Sequence, residues 1–166
     1  MSTAENLQDA FAGESQANRK YLAFAKKADA EGLPQIARLF RAAGAAETVH
    51  ALAHFRVMGG IKSTAENLQA AIEGEGHEFQ EMYPGFVAEA ESDGNRPAVN
   101  SFRNALAVEQ IHHGLYAEAL TSAEKGQDLP AAAMFVCDVC GNTVAGEAPD
   151  RCPICGAPKQ RFFGVE

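Results

Sequence analysis

The heptapeptide Ser-Thr-Ala-Glu-Asn-Leu-Gln stands at residues 2–8 and again, unchanged, at residues 63–69. The echo continues beyond it. Gly13-Glu14 falls on Gly74-Glu75. After a shift of one residue, Phe24 falls on Phe86, Gly32 on Gly94, Phe40-Arg41 on Phe102-Arg103, Glu47 on Glu109 and His50 on His112. Whatever the first half folds into, the second half must fold into as well. Each copy reads as two helices joined by a Gly-containing turn. Ser2 with Glu5, and Ser63 with Glu66, are capping boxes that start the first helix of each copy. Gly32 and Gly94 mark the ends of those helices. Pro34 and Pro97 suit the first turn of the second helices, with Asn95 as a cap, and Gly59-Gly60 and Gly126 stop them. Pro84-Gly85 predicts a kink or a frayed stretch in the third helix.

Apolar residues recur at intervals of three and four along each helix. The stripes run through Leu7, Phe11 and Tyr21; Ile36, Leu39, Ala43 and Val57; Leu68, Ile72, Phe79 and Met82; and Val99, Phe102, Leu106, Tyr116 and Leu120. One Glu interrupts each stripe near its middle: Glu14, Glu47, Glu75 and Glu109. Glu47 and Glu109 are each followed three residues later by a His, His50 and His112, on the same helix face. A lone Glu on such a stripe would be solvated or paired with Lys or Arg. Four placed in register by a repeat should meet at one level of a four-helix bundle. A Glu from each of two helices plus Glu-x-x-His from each of two others is the ligand pattern of carboxylate-bridged di-iron bundles.

Glu78 adds a fifth acid on the face of Glu75, and its counterpart in the first copy is Ala17. Five carboxylates cannot stay ionised together in a core without cations. Oxygen donors with imidazole suit iron or manganese. An extra ligand on one side only would make the two metals inequivalent. His54, one turn beyond His50, reads as a hydrogen-bond donor to the ligands or as polar packing, and His77 and His113 are expected to face solvent. Tyr21 and Tyr83 lie on the seam, either as packing residues or with hydroxyls aimed at the metals.

The four cysteines stand apart from all this, as Cys137-x-x-Cys140-Gly and Cys152-x-x-Cys155-Gly. In a reducing compartment that spacing reads as one tetrahedral four-thiolate site for iron or zinc. The Gly after each second Cys lets backbone N–H groups turn toward sulfur. Phe135, Phe162 and Phe163 are the expected small core of this module, which needs the metal as a staple. The boundary falls at Lys125–Pro130, giving a helical domain over 1–126, a linker over 127–133 and the thiolate module over 134–166. The net charge of −8 argues against nucleic acid and acidic membrane surfaces as partners. No apolar run approaches a membrane span, and the N-terminal residues lack the pattern of a signal peptide, so a cytoplasmic protein is expected.

Together these features resemble rubrerythrin, over essentially the whole chain. The resemblance rests on Glu14, Glu47-x-x-His50, Glu75-x-x-Glu78, Glu109-x-x-His112, the segment Glu81-Met82-Tyr83-Pro84 and the pattern Cys-x-x-Cys-Gly…Cys-Pro-x-Cys-Gly. It implies a mainly α fold: a ferritin-like four-helix bundle followed by a small rubredoxin-like metal-bound β/loop domain. It implies that the seven Glu and His residues hold two iron ions, and that Cys137, Cys140, Cys152 and Cys155 hold a third iron, with zinc the other fit. The family's redox-linked exchange of a His for a Glu ligand maps onto His50 and Glu78. Tyr21 and Tyr83 match the tyrosines that approach the di-iron pocket. The activity implied is reduction of hydrogen peroxide to water in oxidative stress defence. Electrons would come through the thiolate iron from a separate pyridine-nucleotide-dependent reductase or a rubredoxin. A ferritin-type iron oxidase and a non-catalytic zinc-ribbon scaffold are the competing expectations.

One departure concerns connectivity. Ferritin-like bundles need a long crossover between their second and third helices. Here only Gly59 to Lys62 or so are available. The helix ends would lie some ~30 Å apart, and five extended residues reach roughly 17 Å. A domain-swapped homodimer is therefore expected, with the first hairpin of one chain packed on the second hairpin of another.

Overall fold

The computed structural model describes residues 2–165, so the outermost residues of the expected domain spans, Met1 and Glu166, lie outside the described residues. Ser2 caps α1 (Thr3–Ala30) and Ser63 caps α3 (Thr64–His77), each with its Glu three residues on completing the reciprocal box. Pro34 opens α2 (Pro34–Val57). Asn95 accepts from the Ala98 N–H at the start of α5 (Arg96–Ala123). The first helix of each copy ends the same way. Leu33 N–H bonds to Ala28 O at 2.9 Å, and Asn95 N–H to Ala90 O at 2.9 Å. These six-residue closures satisfy carbonyls that the helix leaves open.

The third helix is irregular next to Pro84-Gly85, as expected, but the chain does not fray there. Instead α3 passes into a π turn, Glu78–Met82, and then into α4 (Tyr83–Ser92). Tyr83 N–H reaches back five residues to Glu78 O instead of four. The wider turn puts Pro84 in the first turn of α4, where a missing N–H costs least. A π turn is a one-residue insertion in an α-helix. It lies where the repeat slips by one residue, after Glu75 and before Phe86.

Two compact units divide between Lys62 and Ser63. In the first, α1 packs on α2 through small residues: Ala25 and Ala28 on one side, and Ala37, Gly44 and Ala51, seven apart, on the other. A Cβ at Gly44 would sit 3.7 Å from Asn18 O and Leu22 Cδ2. Buried Asn18 crosses this seam, donating to Gly44 O at 2.6 Å and to Thr48 Oγ1 at 2.9 Å. The large apolar residues of α2 are not the seam. Leu39, Val49 and Val57 are about two-thirds exposed or more, at 68%, 66% and 71%. Periodicity takes Ile36, Leu39, Ala43 and Val57 as the core face of α2; within this unit Leu39 and Val57 are exposed, and the contact with α1 falls on the Ala/Gly face beside them.

In the second unit α3, the π turn and α4 pack along α5, with Ala90, Val99 and Val108 buried. Residues 127–133 carry neither helix nor strand. A three-stranded antiparallel sheet follows, ordered β2 (Thr143–Ala145), β1 (Met134–Cys137), β3 (Phe162–Val165). Pairing of Phe135 with Gly164 lets the Phe135 ring cover the glycine, 3.8 Å from where a Cβ would stand. Strand alternation turns Phe162 inward and leaves Phe163 52% exposed, so Phe163 is not part of the expected core. The module rests on α5, with Gly141 over Val108.

Candidate metal centres

The expected bundle-level cluster of acids takes the form of two triads, one in each unit. Glu14 from α1 meets Glu47 and His50 from α2. His50 Nδ1 lies 3.1 Å from Glu47 Oε2 and 3.8 Å from Glu14 Oε1. Glu75 from α3 meets Glu109 and His112 from α5. His112 Nδ1 lies 2.8 Å from Glu109 Oε2 and 3.7 Å from Glu75 Oε1. In each triad one donor atom per residue falls within 4.8 Å of the others. The helix that supplies two ligands does so from positions three apart, and its neighbour supplies the third.

Carboxylates this close resist ionising together. Glu14 is raised above its ordinary value by a hydrogen bond with the Glu47 carboxyl, by burial and by the Glu47 charge, while His50 and His54 oppose. Glu75 is pushed up to about 7 by burial, by its hydrogen bond with Glu109, and by the charges of Glu109 and Glu78. Glu78 is raised by burial and then by Glu109. Burial and the charges of Glu78, Glu109 and Glu75 raise Tyr83, so its hydroxyl keeps its proton in the field of three acids. Such a set asks for cations.

Repeat symmetry extends around the triads. Tyr21, Phe24 and Phe40 form an aromatic trio, and Tyr83, Phe86 and Phe102 form its counterpart. Arg41 pairs with Asp29 as Arg103 pairs with Glu91. His77 is exposed and bridges to Glu81 at 3.2 Å, as expected of a solvent-facing residue. His113 is not solvent-facing. It is half-buried, edge-on to the Phe79 ring at 5.3 Å, because Gly76 opposite leaves it room.

One site residue escaped the sequence altogether. His112 Nε2 lies 2.9 Å from Thr143 Oγ1, and the Thr143 hydroxyl in turn donates to Gly141 O at 3.1 Å. Thr143 opens β2, two residues past the Cys140-Gly141 turn. It stands 31 positions from His112, and no spacing pattern connects the two.

The four sulfurs converge in the second unit. Cys137 Sγ and Cys155 Sγ are 3.7 Å apart, and Cys140 Sγ and Cys152 Sγ 3.6 Å. Metal–sulfur bonds of ~2.3 Å give a tetrahedron with edges of ~3.8 Å, so the cage fits a four-thiolate iron or zinc. Gly141 (φ 86°) and Gly156 (φ 75°) turn the chain after each second Cys through the left-handed region. The amides beyond them point at sulfur. Burial pushes Cys140 up, opposed by the Asn142 N–H. Burial acts the same way on Cys152, but the N–H groups of Cys155 and Ile154 outweigh it and bring the thiol down to about 7.

The chain is similar to known proteins over nearly its whole length. Residues 5–120 match the Rubrerythrin family, and residues 135–163 match the rubrerythrin rubredoxin-like domain. Rubrerythrin-2 of Clostridium acetobutylicum is 36% identical over 96% of this chain and 95% of its own. Nigerythrin of Nitratidesulfovibrio vulgaris is 38% identical over 97% of this chain and 85% of its own. Among solved structures, a partially reduced state of nigerythrin aligns with a TM-score of 0.59 at 35% identity, covering 99% of this chain and 87% of that one.

Proposed function

The chain belongs to the rubrerythrin family, a family of oxidoreductase type, and from that premise we propose that it reduces hydrogen peroxide to water. Its cofactors are those of the family: a di-iron carboxylate site and a rubredoxin-like four-cysteine site. The reaction consumes two electrons and two protons, cleaves the O–O bond and releases two waters. With iron bound, the carboxylate site supplies the electron pair and the thiolate iron restores it singly.

The chain's own residues divide the rest of the work. Glu14, Glu47 and His50 would hold one side of the carboxylate site, and Glu75, Glu109 and His112 the other. His112 is gripped at both ring nitrogens and 25% exposed; His50 is 55% exposed, and among the described residues nothing anchors its far nitrogen. That difference supports His50 as the imidazole that yields and Glu78 as the carboxylate that replaces it. Tyr83, and Tyr21 as its counterpart, would donate hydroxyl hydrogen bonds to the peroxide oxygens. Cys137, Cys140, Cys152 and Cys155 leave their metal no open position, so that centre can only pass electrons.

The observation that carries this reading lies within one compact unit. A carboxylate–imidazole triad able to bind an oxidant is joined, through His112 and Thr143, to a thiolate knuckle able to deliver electrons. We propose the domain division read from the sequence: a helical domain over 1–126, a linker over 127–133 and the thiolate module over 134–166.

Both triads are needed for a di-iron site, and we infer that they come from different chains in a swapped homodimer. Residues 58–63 alone connect α2 to α3. The exposed Leu39, Val49 and Val57 offer the apolar surface such an exchange would bury. The electron donor is a separate pyridine-nucleotide-dependent reductase or a rubredoxin. No helix among the described residues is long and apolar enough to cross a membrane. A four-thiolate site suits the reducing cytoplasm.

Anaerobic stopped-flow mixing of the reduced, iron-loaded protein with peroxide and with oxygen tests the activity. Fast oxidation by peroxide is expected. Fast oxidation by oxygen but not peroxide would mark an iron oxidase, and a colourless protein with zinc on the cysteines would mark a scaffold.

A further inference from the structure

Among the described residues, two buried ones carry polar side chains, Asn18 and Asn142. Asn18 serves the α1–α2 seam. Asn142 is 1% exposed and lies against the thiolate cage. Its carboxamide Nδ2 is 3.7 Å from Cys152 Sγ, a length natural for N–H···S since sulfur is larger than oxygen. Its main-chain oxygen accepts from Cys137 N–H at 2.9 Å, and its main-chain N–H faces the Cys140 sulfur. One residue thus touches three of the four cysteines. The main-chain contacts follow from the Cys-x-x-Cys-Gly turn and would form with any side chain at position 142. The carboxamide contact would not.

The orientation of that amide is settled by chemistry. A carboxamide oxygen facing a thiolate would set two acceptors against each other in a buried pocket, whereas the NH₂ group can donate. A fixed N–H dipole aimed at a ligand sulfur stabilises whichever metal state carries more negative charge on sulfur. For an iron held by four thiolates that is the ferrous state, which carries one negative charge more than the ferric state and takes up no proton.

We propose that Asn142 is the residue that sets the reduction potential of the four-cysteine centre, through a side-chain hydrogen bond to Cys152 that favours the reduced state. The proposal rests on the reading of that centre as an electron relay. Asn142 is a positioning and tuning residue, since it touches a ligand and neither the metal nor peroxide.

Asn142→Leu keeps the shape and removes the donor. In the iron-loaded full-length protein, spectroelectrochemistry should show electron affinity at the thiolate iron falling about tenfold, which is 59 mV for one electron. The carboxylate site should keep its potential. A folded, iron-loaded variant with an unchanged potential overturns the proposal. Cobalt(II) loading provides a readout independent of the native metal: the sulfur-to-cobalt charge-transfer band should move to lower energy in Asn142→Leu. A band that moves in a protein whose natural metal is zinc sinks the relay reading and leaves the hydrogen bond standing. A band and potential that both stay put in an iron protein sink the hydrogen bond alone. Should the variant fail to fold, cadmium-113 loading of the wild-type protein decides the matter. Scalar coupling from cadmium to the Asn142 side-chain amide protons is expected, and its absence refutes the contact.

Discussion

His112 Nε2 stands 2.9 Å from Thr143 Oγ1, and that oxygen stands 3.1 Å from Gly141 O. The hydroxyl has a single proton, and the Gly141 carbonyl can only accept. The arrangement that satisfies all three groups sends that proton to Gly141, so Oγ1 accepts from His112 Nε2–H. The imidazole is thereby fixed in one tautomer, with the Nδ1 lone pair directed to where Glu75 and Glu109 converge, 2.8 Å from Glu109 Oε2. Supporting hydrogen bonds of this kind are typically worth 10–100-fold in metal affinity.

Thr143→Val removes the acceptor at nearly constant shape. Metal affinity of the Glu75–Glu109–His112 triad should fall about tenfold, measured by anaerobic ferrous or cobalt titration. Thr143→Ser should restore it. Equal affinity in all three proteins would show that Thr143 merely packs.

The acids give the metal-free protein a defined pH dependence. Glu75 has a folded pKa of about 7 against an ordinary value of 4.5. Its contribution to stability is therefore fully present below about 4.5 and is lost as the pH rises through about 7. The chelated protein should melt at a lower temperature at pH 8 than at pH 5, with about 1 kcal/mol of the difference due to Glu75 after allowance for solvent screening. Glu75→Gln should flatten that part of the profile. Metal binding must expel the Glu75 proton, so affinity should climb with pH up to about 7.

The π turn can be removed. Deleting Gln80 while changing Pro84→Leu gives α3 and α4 the spacing of α1, in which Tyr21 follows Glu14 by seven residues and Leu22 occupies the place of Pro84. Glu75 and Tyr83 should still share a face, because seven residues are close to two helical turns. Circular dichroism and thermal melting should show a folded protein, destabilised by no more than about 2 kcal/mol. Oxidation by peroxide should slow by about 10² or more, since Glu78 loses its placement. Retention of full rate would mean that Glu78 plays no part.

Leu39 is 68% exposed on α2. Leu39→Glu places a charge on the surface that the swapped dimer would bury. Sedimentation should show a dimer for the wild type and a monomer for the variant, with the carboxylate-site iron lost and the thiolate iron kept. A wild-type monomer that holds all its iron would remove the swap.

Much of this was legible before any coordinates. The capping boxes at Ser2 and Ser63, the Pro-led starts and the Gly-led stops are local chemistry, and each formed where it was read. The triads follow from the spacing of Glu47 to His50 and of Glu109 to His112, and the cage from two knuckles. Other features depend on partners that no pattern names. Thr143 and Asn142 are common residue types, and their importance comes from neighbours distant in sequence. Periodicity found the apolar face of α2, but not that Ala37, Gly44 and Ala51 beside it would make the contact with α1. Pro84 announced an irregularity and the one-residue slip of the repeat located it. A kink and a π turn can each accommodate a proline, and composition does not choose between them.

The π turn also bears on how the two copies differ. Two hairpins with matching triads, aromatic trios and ion pairs descend from one duplicated hairpin. A residue added to an α-helix ordinarily swings everything downstream by about 100°, which would have cost the second copy its Tyr83 and its aromatic neighbours. Confined to a single wide turn, the addition left both flanks in register. The extra residue differentiates one half from the other without rebuilding its helix. Pro84 then acts as a ratchet. With the proline in place, loss of the extra residue would strand it inside a continuous helix, at a cost of about 3 kcal/mol. The asymmetry between the two halves, once acquired, is held by a penalty on going back.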